Sequence, residues 1–328
     1  DISVLSGAEL RAAGVTELAE ALRLLPGVEI ATYGPGATPS IFLRGANSNQ
    51  TLLLVDGQRV GSAFSGLAAL QHLGVDQIER LEVLRGPAAS LYGADAVGGV
   101  IQVLTRRDRA LTIRMAGGEW HSQQLSVNAG LGDAGNGLSV TAAQNASRGF
   151  NAIVNPADFS YNPDRDGYRF NQAQINAAVS PTESLKLTLS AFETRGSAQY
   201  DGGAGYNDRA LSVISAFNVS ADMKLGPSWQ SNLRVGSTQD RSTFDSAYPG
   251  RYRTTLDQFA WQNNWHLSPA FNALAAAEWR RESVSSTDAL PVTTRHTTSA
   301  LLGSDWTRDA LRLNASARIT VRHDVAVL

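Results

Sequence analysis

The sequence predicts a mainly β protein: a small α+β domain first, then antiparallel β-strands of a transmembrane barrel. Three observations carry this. Helix and strand signals mix up to about residue 107. From about residue 110 the chain changes to long stretches that alternate apolar and polar residues with period 2. No run of 18 or more apolar residues occurs, so no helix is long enough to span a bilayer. A closed barrel is then the spanning structure that satisfies its own backbone in lipid. The expected domains are residues 1–107 and 108–328.

In the first domain, Ser6-Gly7-Ala8-Glu9 has capping-box spacing and predicts a short helix. Thr16 is the expected cap of a second helix. Its apolar stripe is Leu18, Ala21, Leu22 and Leu25, and Pro26-Gly27 stops it. Ile41–Leu43 and Thr51–Val55 read as buried strands, and Asp56-Gly57 as a tight turn back into Gln58–Val60. Leu81–Leu84 and Val100–Leu104 are two further strands.

The second region predicts about eleven strands. They lie near 110–118, 120–131, 136–147, 168–180, 184–197, 211–225, 228–241, 252–267, 270–284, 293–307 and 310–322. Phe217, Val219, Ala221, Met223 and Leu225, for example, alternate with Asn218, Ser220, Asp222 and Lys224. Soluble sandwich strands also alternate, but they run to about 5–6 residues. Strands of roughly 10 suit a tilted membrane crossing. Connections at 132–137 and 180–183 are short, whereas 148–167, 198–210, 242–251 and 285–292 are longer. Short periplasmic turns and long outer loops are the expected asymmetry. The six tryptophans fit an interfacial girdle or a core equally well.

Composition narrows the function. A net charge of −2 offers no basic field, so no nucleic-acid partner is expected. With no cysteine there is no disulfide framework, thiol nucleophile or thiolate metal site. The five histidines form no H-E-x-x-H, and no G-x-S-x-G occurs, so no enzyme is expected. Gly86, Gly93, Gly98 and Gly99 suit close backbone approach, without the Gly-Lys-Ser/Thr of a phosphate cradle.

Three segments carry a family resemblance: Glu17–Val28, Ile41–Val60 with its LRG and VDG, and Ile78–Arg106 with LRGPAASLYGADAVGGV. In order and spacing they resemble the plug of TonB-dependent outer-membrane receptors. Within that family the phrasing is most similar to cobalamin (vitamin B-twelve) receptors. Asn162–Gly167 and Gln199-Tyr200-Asp201 add to the likeness. A passive porin, the remote alternative, lacks such a plug.

The resemblance implies active transport of a scarce ligand across the bacterial outer membrane. That ligand is cobalamin, or alternatively a ferric siderophore or haem. A plug occludes the barrel, and periplasmic TonB releases it through an N-terminal box. Nothing in this chain resembles that box, which is expected upstream of Asp1. The family barrel has about 22 strands, so the chain is expected to be a fragment carrying about half, since open edges in lipid are costly. The implied ligand contacts lie on apical plug loops: Tyr33, Thr38, Ser40, Ser62 and Ser65. Arg44 and Arg85, in the two LRG motifs, are the implied latch to barrel-wall glutamates. No cofactor is required. Calcium is the one implied metal, at Asp164, Asp166, Asp201 and Asp245, because hard cations take carboxylate and carbonyl oxygens.

Overall fold

The computed structural model describes residues 2–326, apart from 33, 35, 68–70, 72, 86–91, 204 and 309–310. Gly86 therefore lies outside the described residues. The first helix, α1 (Gly7–Ala12), opens on the expected box: Ser6 Oγ accepts from Glu9 N at 3.2 Å, and Glu9 Oε2 accepts from Ser6 N at 2.7 Å. The second, α2 (Leu18–Arg23), has Glu17 rather than Thr16 at its N-cap. The N–H and hydroxyl of Thr16 are taken by the Glu20 carboxylate, at 2.8 and 3.1 Å, which moves the start by one residue. Leu18, Ala21, Leu22 and Leu25 are all buried, as the stripe predicts.

The strands here are β1 (Ile2–Ser6), β2 (Val28–Ala31), β3 (Ser40–Leu43), β4 (Thr51–Val55), β5 (Gln58–Arg59), β6 (Ile78–Arg85) and β7 (Gly99–Thr105). Five form one sheet in the order β1-β6-β7-β4-β5, with β4 and β7 parallel, and β2-β3 is a separate hairpin. Asp56 and Gly57 both have positive φ, 49° and 79°, as the tight two-residue turn requires. Gly99, at φ 148°, allows no side chain, since a Cβ there would meet the Leu84 carbonyl oxygen at 2.4 Å. Leu10, Leu18, Leu22, Leu43, Ile78, Leu81 and Ile101 fill the core, which continues onto Phe192 and Ile214 of the surrounding wall.

That wall is an eleven-stranded antiparallel sheet in strict sequence order. Its strands are β8 (Thr112–Gly118), β9 (Ser122–Gly132), β10 (Gly137–Ser147), β11 (Tyr168–Thr182), β12 (Leu185–Gln199), β13 (Arg209–Gly226), β14 (Trp229–Asp245), β15 (Gly250–Ser268), β16 (Phe271–Ser286), β17 (Val292–Arg308) and β18 (Leu311–Ala326). Among the described residues no pairing joins β8 to β18. The strands outrun the prediction at one end, so the connections expected at 242–251 and 285–292 contract to 246–249 and 287–291. The connections at the other end are tight, at 133–136, 183–184, 227–228 and 269–270.

The wall buries polar residues and exposes apolar ones. Asn128, Thr141, Gln174, Asn176, Asn218 and Thr238 are buried on the inner face. Val127, Val140, Ile175, Phe217 and Val219 are exposed on the outer face. This inverts a soluble sheet and matches a barrel with lipid outside and a polar lumen inside. Trp229, Trp265 and Trp306 sit at the short-turn end, where Trp229 and Trp265 stack at 6.0 Å, and Trp120 sits at the long-loop end. These four positions suit an interfacial belt. No described helix is long and apolar enough to cross a membrane.

Candidate functional site

Three groups of side chains stand out: the long-loop apex, an acidic pair of loops, and the boundary between the inner domain and the wall.

At the apex, Tyr33 lies outside the described residues. The surrounding loop presses on the wall: a Cβ on Gly36, at φ 69°, would meet Tyr168 Cβ at 2.7 Å. Thr38 is exposed and its hydroxyl accepts from Gln71 Nε2 at 2.9 Å. Ser40 is half-buried at the start of β3, opposite Ala31. Ser62 Oγ accepts from Ser65 N at 3.3 Å, and Ser65 Oγ from Leu67 N at 3.2 Å, so both hydroxyls shape their own turn. The apex also carries an aromatic row that the sequence reading missed. Phe64 stacks on Tyr252 at 4.1 Å, Tyr252 meets Phe244 edge-on at 5.9 Å, and Phe244 meets Tyr200 at 6.2 Å. Its members come from four separate segments, and one aromatic per segment gives no linear signal.

The carboxylates of Asp164, Asp166 and Asp201 have oxygens within 4.8 Å of one another. They come from the loops at 148–167 and 200–208. Asp166 is buried, and its Oδ2 accepts from Ala152 N at 2.8 Å. Asp164 Oδ1 and both oxygens of Asp201 are buried without a well-formed hydrogen bond. Burial first, then the charges of Asp166 and Asp164, push the Asp201 carboxyl up to about 6. Burial also raises Asp166. Buried carboxylate oxygens this poorly supplied with donors fit a hard cation, which wants several oxygen ligands. The structure does not bring Asp245 into this group; it ends β14 opposite Arg209. Asp208, which was not singled out from the sequence, is buried nearby. It accepts from Gly202 N and Ala247 N, both at 2.9 Å, and so ties two loops together.

At the boundary, Arg85 is buried and donates to Ser3 Oγ at 2.9 Å. Burial first, and then Arg44, lower its pKa. Arg44 is exposed, with φ 51°, in the turn after β3. A large ion cluster crossing to the wall centres instead on Arg59, which the sequence reading did not single out. Its guanidinium lies 3.1 Å from Asp95 and 3.3 Å from Glu278 of β16. Arg280 reaches the same Asp95 at 3.1 Å, and Arg318 of β18 reaches Glu278 at 2.6 Å. A second crossing joins Asp76 to Arg114 at 3.4 Å and to Gln124 at 3.0 Å. Elsewhere the wall donates to carbonyl oxygens of the inner domain. Asn218 bonds Asp56 O at 3.1 Å, Gln174 and Asn176 bond Arg106 O at 3.0 and 2.9 Å, and Arg234 bonds Gly57 O at 3.2 Å.

A folded α+β domain held by polar contacts against an apolar-outside, polar-inside wall defines a plugged membrane barrel. The sequence family described as TonB-dependent Receptor Plug Domain matches residues 1–100. The vitamin B12 transporter BtuB of Photobacterium profundum is 32% identical over 296 residues, 87% of this chain and 48% of that protein. BtuB of Vibrio cholerae serotype O1 is 28% identical, over 86% of this chain and 48% of that protein. Among solved structures, the siderophore receptor PirA from Acinetobacter baumannii superposes with a TM-score of 0.78 at 15% identity, covering 98% of this chain and 56% of that one. Residues 1–100 thus match the plug of TonB-dependent receptors, and the chain is similar over most of its length to BtuB transporters. It spans about half the length of the curated relatives it matches.

Proposed function

We propose that this chain is the plug and adjoining wall of an outer-membrane transporter that takes up cobalamin, with TonB as its periplasmic energy-coupling partner. The observation that carries the substrate is the joined acidic loops. Asp164, Asp166 and Asp201 meet from two loops with more buried carboxylate oxygens than well-formed donors, in a chain that resembles vitamin B12 transporters over most of its length. Calcium held by these three carboxylates would neutralise their repulsion and fix both loops over the plug apex. Thr38, Ser40, Ser62 and Ser65 supply polar contacts there, and Tyr33 is proposed as a further contact. Arg44 and Arg85 keep their proposed role as latch residues between plug and barrel. A ferric siderophore is the second reading, favoured by the aromatic row from Phe64 to Tyr200, which offers flat faces for a conjugated ligand.

The test is a titration of the full-length receptor with cyanocobalamin and with ferric chelates, with and without calcium. Saturable cyanocobalamin binding that calcium strengthens is the expected result. Binding of a ferric chelate alone selects the second reading. The calcium effect has a set pH direction. The metal takes the deprotonated carboxylate, and Asp201 holds its proton up to about 6. Calcium affinity should therefore rise as pH is raised through about 6, and Asp201→Asn should abolish the calcium dependence.

A further inference from the structure

We propose that residues 59–64 are a strap that couples the exposed plug apex to the buried ion cluster, so that loosening either end loosens the other. At its base the strap is fixed on three sides. The Arg59 guanidinium enters the cluster of Asp95 and Glu278. Its carbonyl oxygen accepts from Thr238 Oγ1 at 2.9 Å, and its N–H donates to Gln258 Oε1 at 3.4 Å. At its upper end Ala63 N donates to Thr254 Oγ1 at 3.1 Å, and Phe64 stacks on Tyr252 at 4.1 Å.

The wall partners Gln258, Thr254 and Tyr252 are three even-numbered positions of β15, so they share its inner face. The strap climbs while β15 descends, in step: Arg59 to Ala63 is matched by Gln258 to Thr254. On the β15 side, four residues of strand span roughly 13 Å. Between its ends the strap is tied to the plug, Val60 N donating to Leu53 O at 3.1 Å and Ser62 N to Leu67 O at 2.9 Å, so displacement at one end reaches the other through these bonds. Loss of Phe64 from Tyr252 draws on the Arg59 contacts. Loss of the Glu278 charge loosens Arg59, which keeps Asp95 and the Tyr92 carbonyl oxygen, and draws on Ala63. Such coupling must act equally in both directions. Its biological meaning, that a ligand displacing Phe64 would slacken the plug's ionic anchor, rests on the receptor reading above.

Hydrogen exchange of the full-length receptor in detergent, with no ligand added, tests the coupling. Phe64→Ala should speed exchange across Arg59–Gly61 by roughly threefold to tenfold, the range expected for loss of an aromatic pair. In the other direction, Glu278→Gln should speed exchange at Ala63 and Phe64. Should Glu278→Gln fail to fold, Thr254→Val removes only the hydroxyl that receives Ala63 N, and it should quicken exchange at Arg59. Tyr248→Ala, on the neighbouring loop 246–249, should leave the strap unchanged. An effect that stops at the substituted end overturns the proposal. Because no ligand is present, that result leaves the transport reading standing. Conversely, failure to bind either cyanocobalamin or ferric chelates would leave the exchange result intact.

Discussion

Two carboxylates share Arg59, and their surroundings assign them different weights. The Glu278 side chain is 14% exposed and faces Arg59, Arg280 and Arg318 together. The Asp95 side chain is 54% exposed, though it touches Arg59 and Arg280 at the same 3.1 Å. Removing one partner of a buried ion group strands the rest, at about 3–5 kcal/mol. An exposed partner is screened and contributes about 0–1 kcal/mol. Glu278→Ala should thus lower the urea midpoint of the receptor strongly, and Asp95→Ala only slightly. Comparable midpoints for the two variants would rule out this ranking. Neither weight can be read from the sequence, because Arg59 and Glu278 are brought together only where the wall packs against the plug. Asp164, Asp166 and Asp201 were named from the family resemblance, since nothing in the sequence alone joins residues on two long loops. Asp245 failed the same inference because β14 extends to include it, which takes it out of the loop.

At the scale of elements, α2 meets the wall through a titrating group. Glu17, at its N-cap, shares a hydrogen bond with Tyr168 at the start of β11. Burial first, and then the Glu20 charge, raise the Glu17 carboxyl to about 7, against the lowering by Tyr168 and Arg23. A carboxyl raised above its ordinary 4.5 favours the folded state while protonated. That stability is present below 4.5 and is lost as pH rises through about 7. The unfolding midpoint should fall across this window in the parent, and Glu17→Gln should flatten most of the slope. The strands of the wall were almost wholly legible, since a period of two sustained over long stretches admits few other readings. Ile2–Ser6 and Val28–Ala31 were not, because such short segments become strands only by pairing, Ile2 with Leu84 and Val28 with Leu43. The start of α2 was misplaced for a similar reason: Glu20 reaches back and occupies the residue expected to cap it.

For the whole molecule, the inverted wall predicts opposite fates for neighbouring substitutions on one strand. Phe217 lies near the middle of β13 on the outer, exposed face, whereas Ser220 lines the interior. Phe217→Arg should cost about 2–4 kcal/mol of folding into lipid vesicles, the range for a cation at the bilayer midplane. Ser220→Arg should cost much less, as its charge meets water and Asp222 beside it. Equal losses would mean that the outer face does not meet lipid. The inner face has a mechanical consequence. The bonds from Asn218, Gln174, Asn176 and Arg234 all end on backbone carbonyls of the plug, and their donors are amides or a guanidinium. Each amide bond can be traded for a bond to water at a net cost of only about 0.5–1.5 kcal/mol, and the Arg234 bond at about 1.5–3 kcal/mol. A greased seal would have to bare apolar area over its whole length before anything moved. Here the greased part of the seam is confined to the patch where the plug core meets Phe192 and Ile214, and the rest behaves as a wetted bearing.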